Sequence, residues 1–137
     1  MGEIRARFKL INAFDKALAR RGQLDPRQVR TYEVNALVDT GAIRSVIPPH
    51  VMEKLGVQLH SQRVAEYADG RKEQVGLTEP IYFDWQGRDT EDAALVLGDE
   101  VLIGQTVLEK LDLLADCVNN RLVPNPAHPD QPVSKVK

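Results

Sequence analysis

An apolar run ends on Asp39-Thr40-Gly41-Ala42, and a second apolar run begins at Ser45. Asp39 would emerge from a packed sheet at a fixed position. Gly41 would let the backbone turn tightly and bring N–H groups onto the carboxylate, holding and orienting its charged form. The Thr40 hydroxyl can brace such a turn by bonding to backbone or to a neighbouring chain. A structural Asx turn uses the same residue types, so the motif alone fits a surface turn as well as a catalytic acid. His50, His60 and His128 are scattered without ligand spacing, and no metal or cofactor is expected. The single cysteine, Cys117, has no partner for a disulfide or a thiolate cluster and reads as a small buried hydrophobe.

A lone carboxylate is a poor hydrolytic group at ordinary pH. Two held against each other share a proton, so that one can act as base toward a water while the other acts as acid toward a carbonyl oxygen. Activity from such a pair falls when rising pH removes the shared proton, and falls again when acid protonates both members. The chain contains a hint of where a second carboxylate would be sought. "VMEKLGVQL" (residues 51–59) and "VLEKLDLLA" (residues 107–115) repeat valine, glutamate, lysine and leucine in the same places. Each follows an apolar stretch with a glycine, so strand, Gly turn and short helix occur twice. The first copy carries Asp39 before its glycine; the second carries Leu102-Ile103 before Gly104. The second acid would therefore come from another copy of the chain, across a two-fold axis beside Asp39.

The elements that must position these residues read mainly as β. Ile4, Ala6, Phe8 and Leu10 alternate with Arg5, Arg7 and Lys9, which predicts a half-buried strand continuing toward Phe14. Residues 19–28 read as a loop around Gly22 and Pro26. Tyr32 to Val38 form a second alternating strand that runs into Asp39, antiparallel to the first. Ser45-Val46-Ile47 is a short strand stopped by Pro48-Pro49, and residues 50–56 make a short helix capped by Gly56. Asp69-Gly70 between extended runs predicts a polar hairpin that projects into solvent. Further short strands cover residues 81–89, 92–98 and 101–104. Thr106 and Glu109 have the spacing of a capping box opening a second short helix. Two more short strands flank Asn119-Asn120. Tyr67 and Trp85 read as packing aromatics. The expected fold is mainly β: a small closed barrel with one or two short helices. Residues 1–124 would form the domain, and the Pro-rich residues 125–137 an extended or disordered tail.

"ALVDTGA" followed by "SVIP", a hairpin, and later "VLIG" plus a short helix resembles the retropepsin-like aspartic proteases, above all the prokaryotic single-domain members; the resemblance covers roughly Tyr32 to Pro124. Aspartic proteases are the standard case of two carboxylates sharing a proton. The resemblance implies Asp39 as catalytic acid/base, two per homodimer. It implies Thr40 as a brace across the dimer, Gly41 lining the site, and Ala42 beside the backbone of a peptide or protein substrate. Tyr67, Ala68, Asp69, Gly70 and Arg71 would form a flap closing over that peptide. Leu102, Ile103 and Gly104 would form the loop that packs under the active-site loop. The chain departs from the viral members at the flap tip, which is not glycine-rich, at Gln105, where many carry a basic residue, and in the Pro-rich tail.

With 137 residues the chain suffices for one domain with its own core. A net charge of −2 lacks the basic excess of a nucleic-acid footprint. No apolar run reaches the roughly 20 residues of a bilayer span, and the N-terminus lacks a signal-peptide core, so a cytoplasmic setting is expected with no membrane partner. The function expected is an aspartic endopeptidase; the alternative is a catalytically weak or inactive module of the same fold that dimerises or binds peptides.

Overall fold

The alternation at the N-terminus becomes β1 (Ile4–Asn12), with Ile4, Ala6, Phe8 and Leu10 buried and Arg5, Arg7 and Lys9 exposed. The computed structural model describes residues 2–136. β1 pairs antiparallel with β2 (Thr31–Val38), from Ile4 opposite Val38 to Ile11 opposite Thr31.

Between these strands the expectation of a strand toward Phe14 and a loop from Ala19 is overturned. The chain forms α1 (Ala13–Arg20) and a single 3-10 turn over Pro26–Gln28. The helix starts because Asn12 acts as its N-cap: its Oδ1 accepts from the Asp15 N–H at 2.9 Å, while its Nδ2 donates to the Leu55 carbonyl at 2.8 Å. Asp15, only 5% exposed, then accepts from the Arg30 backbone N–H, Nε and Nη2 at 3.1, 2.8 and 3.0 Å. The Arg30 guanidinium bonded to Asp15 holds its carboxyl below the usual range. Asp15→Ala strips the buried side of this pair. It is expected to destabilise the chain by about 2 kcal/mol, discounted for the half-exposed arginine, read as a lower urea midpoint at unchanged slope.

The remaining elements follow in order: β3 (Ser45–Ile47), α2 (Pro49–Leu55), β4 (Leu59–Glu66), β5 (Lys72–Thr78), β6 (Ile81–Trp85), β7 (Arg88–Asp92), β8 (Ala94–Val96), β9 (Leu102–Ile103), α3 (Gln105–Leu111), β10 (Leu113–Asp116) and β11 (Arg121–Pro124). Nine strands make one sheet in the order β4-β5-β8-β3-β9-β2-β1-β6-β7, and β10 and β11 make a separate two-stranded sheet. The fold is mainly β, but no sheet closes into a barrel, and there are three short α-helices where one or two were expected. The physical obstacle to closure lies at the edges. β7 reads Arg-Asp-Thr-Glu-Asp, and β4 belongs to an exposed polar hairpin; charged edge strands resist further pairing.

The core gathers Phe8, Leu10, Ile47, Phe83, Ile103 and Leu108, each at most 1% exposed. Burial of such side chains stabilises by about 1.5–3 kcal/mol apiece. α2 contributes Val51 and Leu55; α3 contributes Val107, Leu108 and Leu111. The two helices end alike, on a left-handed residue whose N–H bonds back into the last turn: Gly56 at φ 69° and Asp112 at φ 59°. The capping box expected at Thr106 is absent. α3 begins at Gln105 with Gly104 as its N-cap, so Thr106 already lies inside the helix. Among the described residues no helix is long and apolar enough to cross a membrane.

Asp112 tolerates its left-handed backbone while its side chain anchors the segment after β11. It accepts from Asn125 Nδ2 at 3.0 Å and the Val133 N–H at 3.0 Å, and lies 2.6 Å from His128 Nδ1. Buried Arg88 ties the same segment down, donating to the Leu111, Asp112 and His128 carbonyls. Chiefly through the Asn125 bond, folding lowers the Asp112 pKa from its ordinary 3.8. Its contribution is therefore complete above that value and lost as pH falls through the lower, folded value. Amide exchange at Val133, whose N–H donates to the Asp112 carboxylate, is expected to lose its protection over that acid range, and to be unprotected at every pH in Asp112→Ala.

Candidate active site

β2 delivers Asp39 to the end of the central part of the sheet, and the neighbouring strand holds it there. β9 runs parallel to β2, with Leu37 opposite Leu102 and Val38 opposite Ile103, and the Asp39 N–H donates to the Ile103 carbonyl at 3.0 Å. The chain then turns sharply. The Ala42 N–H donates to the Asp39 carbonyl at 3.2 Å, and the Gly41 N–H donates to Asp39 Oδ1 at 2.9 Å. That second bond fixes the orientation of the Asp39 side chain. Gly41 keeps this approach uncrowded: a Cβ there would stand 3.3 Å from Asp39 Oδ1, a tight contact that would press on the carboxylate.

The Leu102-Ile103-Gly104 stretch locks the loop from beneath. The Gln105 N–H donates to the Ala42 carbonyl at 2.7 Å and the Thr106 N–H to the Ile43 carbonyl at 3.1 Å. The Gly104 N–H donates to Ser45 Oγ at 2.9 Å. Ser45 is fully buried, and sequence reasoning gave it no role. The available signal was a hydroxyl at the head of an otherwise apolar strand, which a buried position tolerates only with a hydrogen-bond partner.

Asp39 is half-buried, and Thr40 is exposed with no hydroxyl partner among the described residues. Both line a cleft of about 290 Å³ together with Leu37, Ala115, Cys117 and Asn120. Cys117 is thus exposed on the cleft, contrary to the expectation of a buried hydrophobe; it sits in the turn after β10, beyond the core. Among the described residues no group of three or more His, Cys, Asp or Glu side chains could hold a metal.

The residues expected as a flap, Tyr67 to Arg71, form the turn of the β4–β5 hairpin, and none of them lines this cleft. They brace one another instead. The Tyr67 hydroxyl lies 2.5 Å from Glu73 Oε1, and the Arg71 guanidinium lies 4.3 Å from the Tyr67 ring centroid. The bond to Glu73 pushes the Tyr67 hydroxyl above its ordinary range. Asp69 Oδ1 accepts from the Arg71 N–H at 2.9 Å, and the Gly70 N–H donates to the Tyr67 carbonyl at 2.9 Å. Tyr67 therefore packs within its own turn. Trp85, 6% exposed, is a packing residue of the core.

Comparison with known proteins agrees with this geometry. The retroviral protease-like domain of Ddi1 from Leishmania major superposes with a TM-score of 0.58 at 20% identity, over 92% of this chain and 90% of that one. The EIAV protease, solved with the inhibitor HBY-793, superposes with a TM-score of 0.54 at 18% identity, over 79% of this chain and 86% of that one. No curated protein sequence matches. The family described as "gag-polyprotein putative aspartyl protease" matches residues 26–110, which carry both Asp39 and the Gly104 loop. With its sheet, its Asp-Thr-Gly turn and the strand beneath it arranged in this way, the chain belongs to that family of retropepsin-like aspartic proteases.

Proposed function

We propose that the chain is an aspartic endopeptidase active as a homodimer, in which the Asp39 carboxylates of two copies share a proton and activate a water against a peptide carbonyl. The observation that carries this reading is the Asp39 turn. A half-exposed carboxylate is held by the Gly41 N–H on one side and by the Ile103 carbonyl through its own backbone, at the rim of a cleft. Such pre-orientation is what general acid–base catalysis asks for. Thr40 stands beside it, exposed, with a hydroxyl suited to bracing a second copy. Within one chain the loop opposite Asp39 offers Leu102 and Ile103, so the partner acid comes from another subunit.

A second reading is favoured by the β4–β5 hairpin. Its tip spends its polar groups on itself and does not line the cleft, which fits a peptide-binding or dimerisation module with little hydrolysis. Cleavage of a peptide library at mildly acidic and neutral pH, wild type against Asp39→Asn, separates the two. Hydrolysis that the substitution leaves untouched refutes the Asp39 mechanism. A folded dimer that cleaves nothing leaves the module.

A further inference from the structure

We propose that the cleft between α1 and the sheet is a binding site for an acidic peptide segment, separate from the Asp39 cleft and independent of how Asp39 works. Its volume is about 550 Å³, against about 290 Å³ beside Asp39, and no residue lines both. That size lies in the range of about 300–1,000 Å³ usual for ligand clefts.

The first strand and the first helix build it together. Along β1, Ala6, Phe8 and Leu10 face the core, so Lys9 and Ile11 face the other side of the sheet. Ile11 is nevertheless only 8% exposed, because the helix capped by Asn12 turns back beside it. Lys16, Ala19 and Arg20, three and four positions apart, share the helix face turned to the cleft. Pro26 and Val29, just before β2, complete an apolar floor with Ile11 and Ala19.

The charges around this floor decide the occupant. Three cations line the cleft, Lys9, Lys16 and Arg20, and no acid does, in a chain whose net charge is −2. Lys16 is engaged: its Nζ lies 2.8 Å from Asp89 Oδ2 and 4.0 Å from the centroid of the Tyr82 ring. Glu33 and Asp84 stand opposite Lys9 in register, on β2 and β6. Glu33 lies 3.8 Å from Arg7 Nη2 instead, and Asp84 Oδ1 accepts from the Gly87 N–H at 3.1 Å. Asp25 is held by Arg27 at 2.8 Å. Among the described residues Lys9 and Arg20 make no ion pair. Two such cations beside an apolar floor fit a peptide that alternates acidic and aliphatic side chains, with carboxylates at the rim and an aliphatic group below. A single-stranded nucleic acid would want an aromatic face for its bases, and Tyr82 on the adjoining strand already has Lys16 over its ring.

The cleft sits at the Ile11–Thr31 end of the β1–β2 pair, whereas Asp39 follows Val38 at the Ile4 end. The seven residues from Ile4 to Ile11, at roughly 3.3 Å each, put about 23 Å between the two places. An occupant therefore leaves Asp39 open, and the site recruits a protein by an acidic segment without entering the reaction centre.

The test titrates the full chain with a short dye-labelled peptide of alternating glutamate and leucine, read by fluorescence anisotropy at low salt. Binding is expected to weaken by roughly 10-fold in Lys9→Gln with Arg20→Gln, and by a similar factor when glutamine replaces glutamate in the peptide. Both substituted side chains are exposed, and circular dichroism checks the fold. Amide NMR on wild type locates the peptide with no substitution: shifts are expected at Ala19 and Val29 and not at Thr40 and Gly41. Shifts confined to the Asp39 loop overturn the proposal, as does binding that neither neutralisation weakens. A wild-type chain that does not bind the acidic peptide overturns it too. An oligothymidylate that displaces the peptide from Ala19 and Val29 would make this a site for nucleic acid and overturn the peptide assignment. None of these outcomes bears on the Asp39 mechanism.

Discussion

Replacing Asp39 by asparagine is expected to lower peptide hydrolysis by about 100- to 10,000-fold while leaving the melting temperature of the chain unchanged. Asparagine has nearly the same shape, and its carbonyl oxygen can still accept the Gly41 N–H bond now made to Oδ1 at 2.9 Å. The loop therefore keeps its place. What disappears is the ability to hold and pass a proton. Mixing the variant with wild type sharpens the prediction. If the working unit needs two Asp39 side chains, activity falls as the square of the wild-type fraction once subunits have exchanged. A linear fall would mean that each chain works alone, and the shared-proton mechanism would be abandoned.

Gly104→Ala is expected to have the second largest effect, through packing alone. The backbone at Gly104 is extended, with φ −91° and ψ 174°, so alanine meets no conformational strain there. A Cβ at this position, however, would lie 2.6 Å from the carbonyl carbon and oxygen of Arg44 and 2.9 Å from the Ile43 oxygen. Those obstacles are backbone atoms of the loop that leads away from Asp39, and they cannot swing aside as a side chain would. Relief needs a shift of somewhat under ~1 Å in a segment already tied by the Gln105, Thr106 and Gly104 N–H groups. Overpacking of this kind costs about 1–3 kcal/mol. A displacement of that order at a catalytic group can lower turnover by about 100-fold. Thermal melting and kcat measured on the same preparation should both fall. Wild-type values for both would show that the two loops are not in tight register.

The parts of the fold that obey local rules were legible. The alternation from Ile4 to Leu10 and from Tyr32 to Val38 named two strands, and their antiparallel pairing followed. The Asp69-Gly70 turn, the Ser45–Ile47 strand and the Gly56 cap were all written in short stretches. The errors came where a local signal was overruled or misread. Asn12 ended the alternation by capping a helix, because its side chain could serve Asp15 and Leu55 at once. Thr106 matched a capping spacing, yet the helix had already begun at Gln105, where the backbone bonds to the Ala42 carbonyl. Cys117 has the chemistry of a core residue but falls in a turn that leaves it exposed.

The sequence by itself determined that a carboxylate would stand at a strand end, followed by residues small enough for the backbone to fold back on it. That much depends on neighbours along the chain, through a two-residue period and the steric freedom of a few turn residues. Only the tertiary structure decided that β9 lies parallel beside β2, that Gly104 meets a serine 59 residues away, and that the large sheet stays open while a small hairpin faces the cleft. Those outcomes depend on which distant surfaces exclude water together and which edges are too charged to pair. No local pattern in the chain records either.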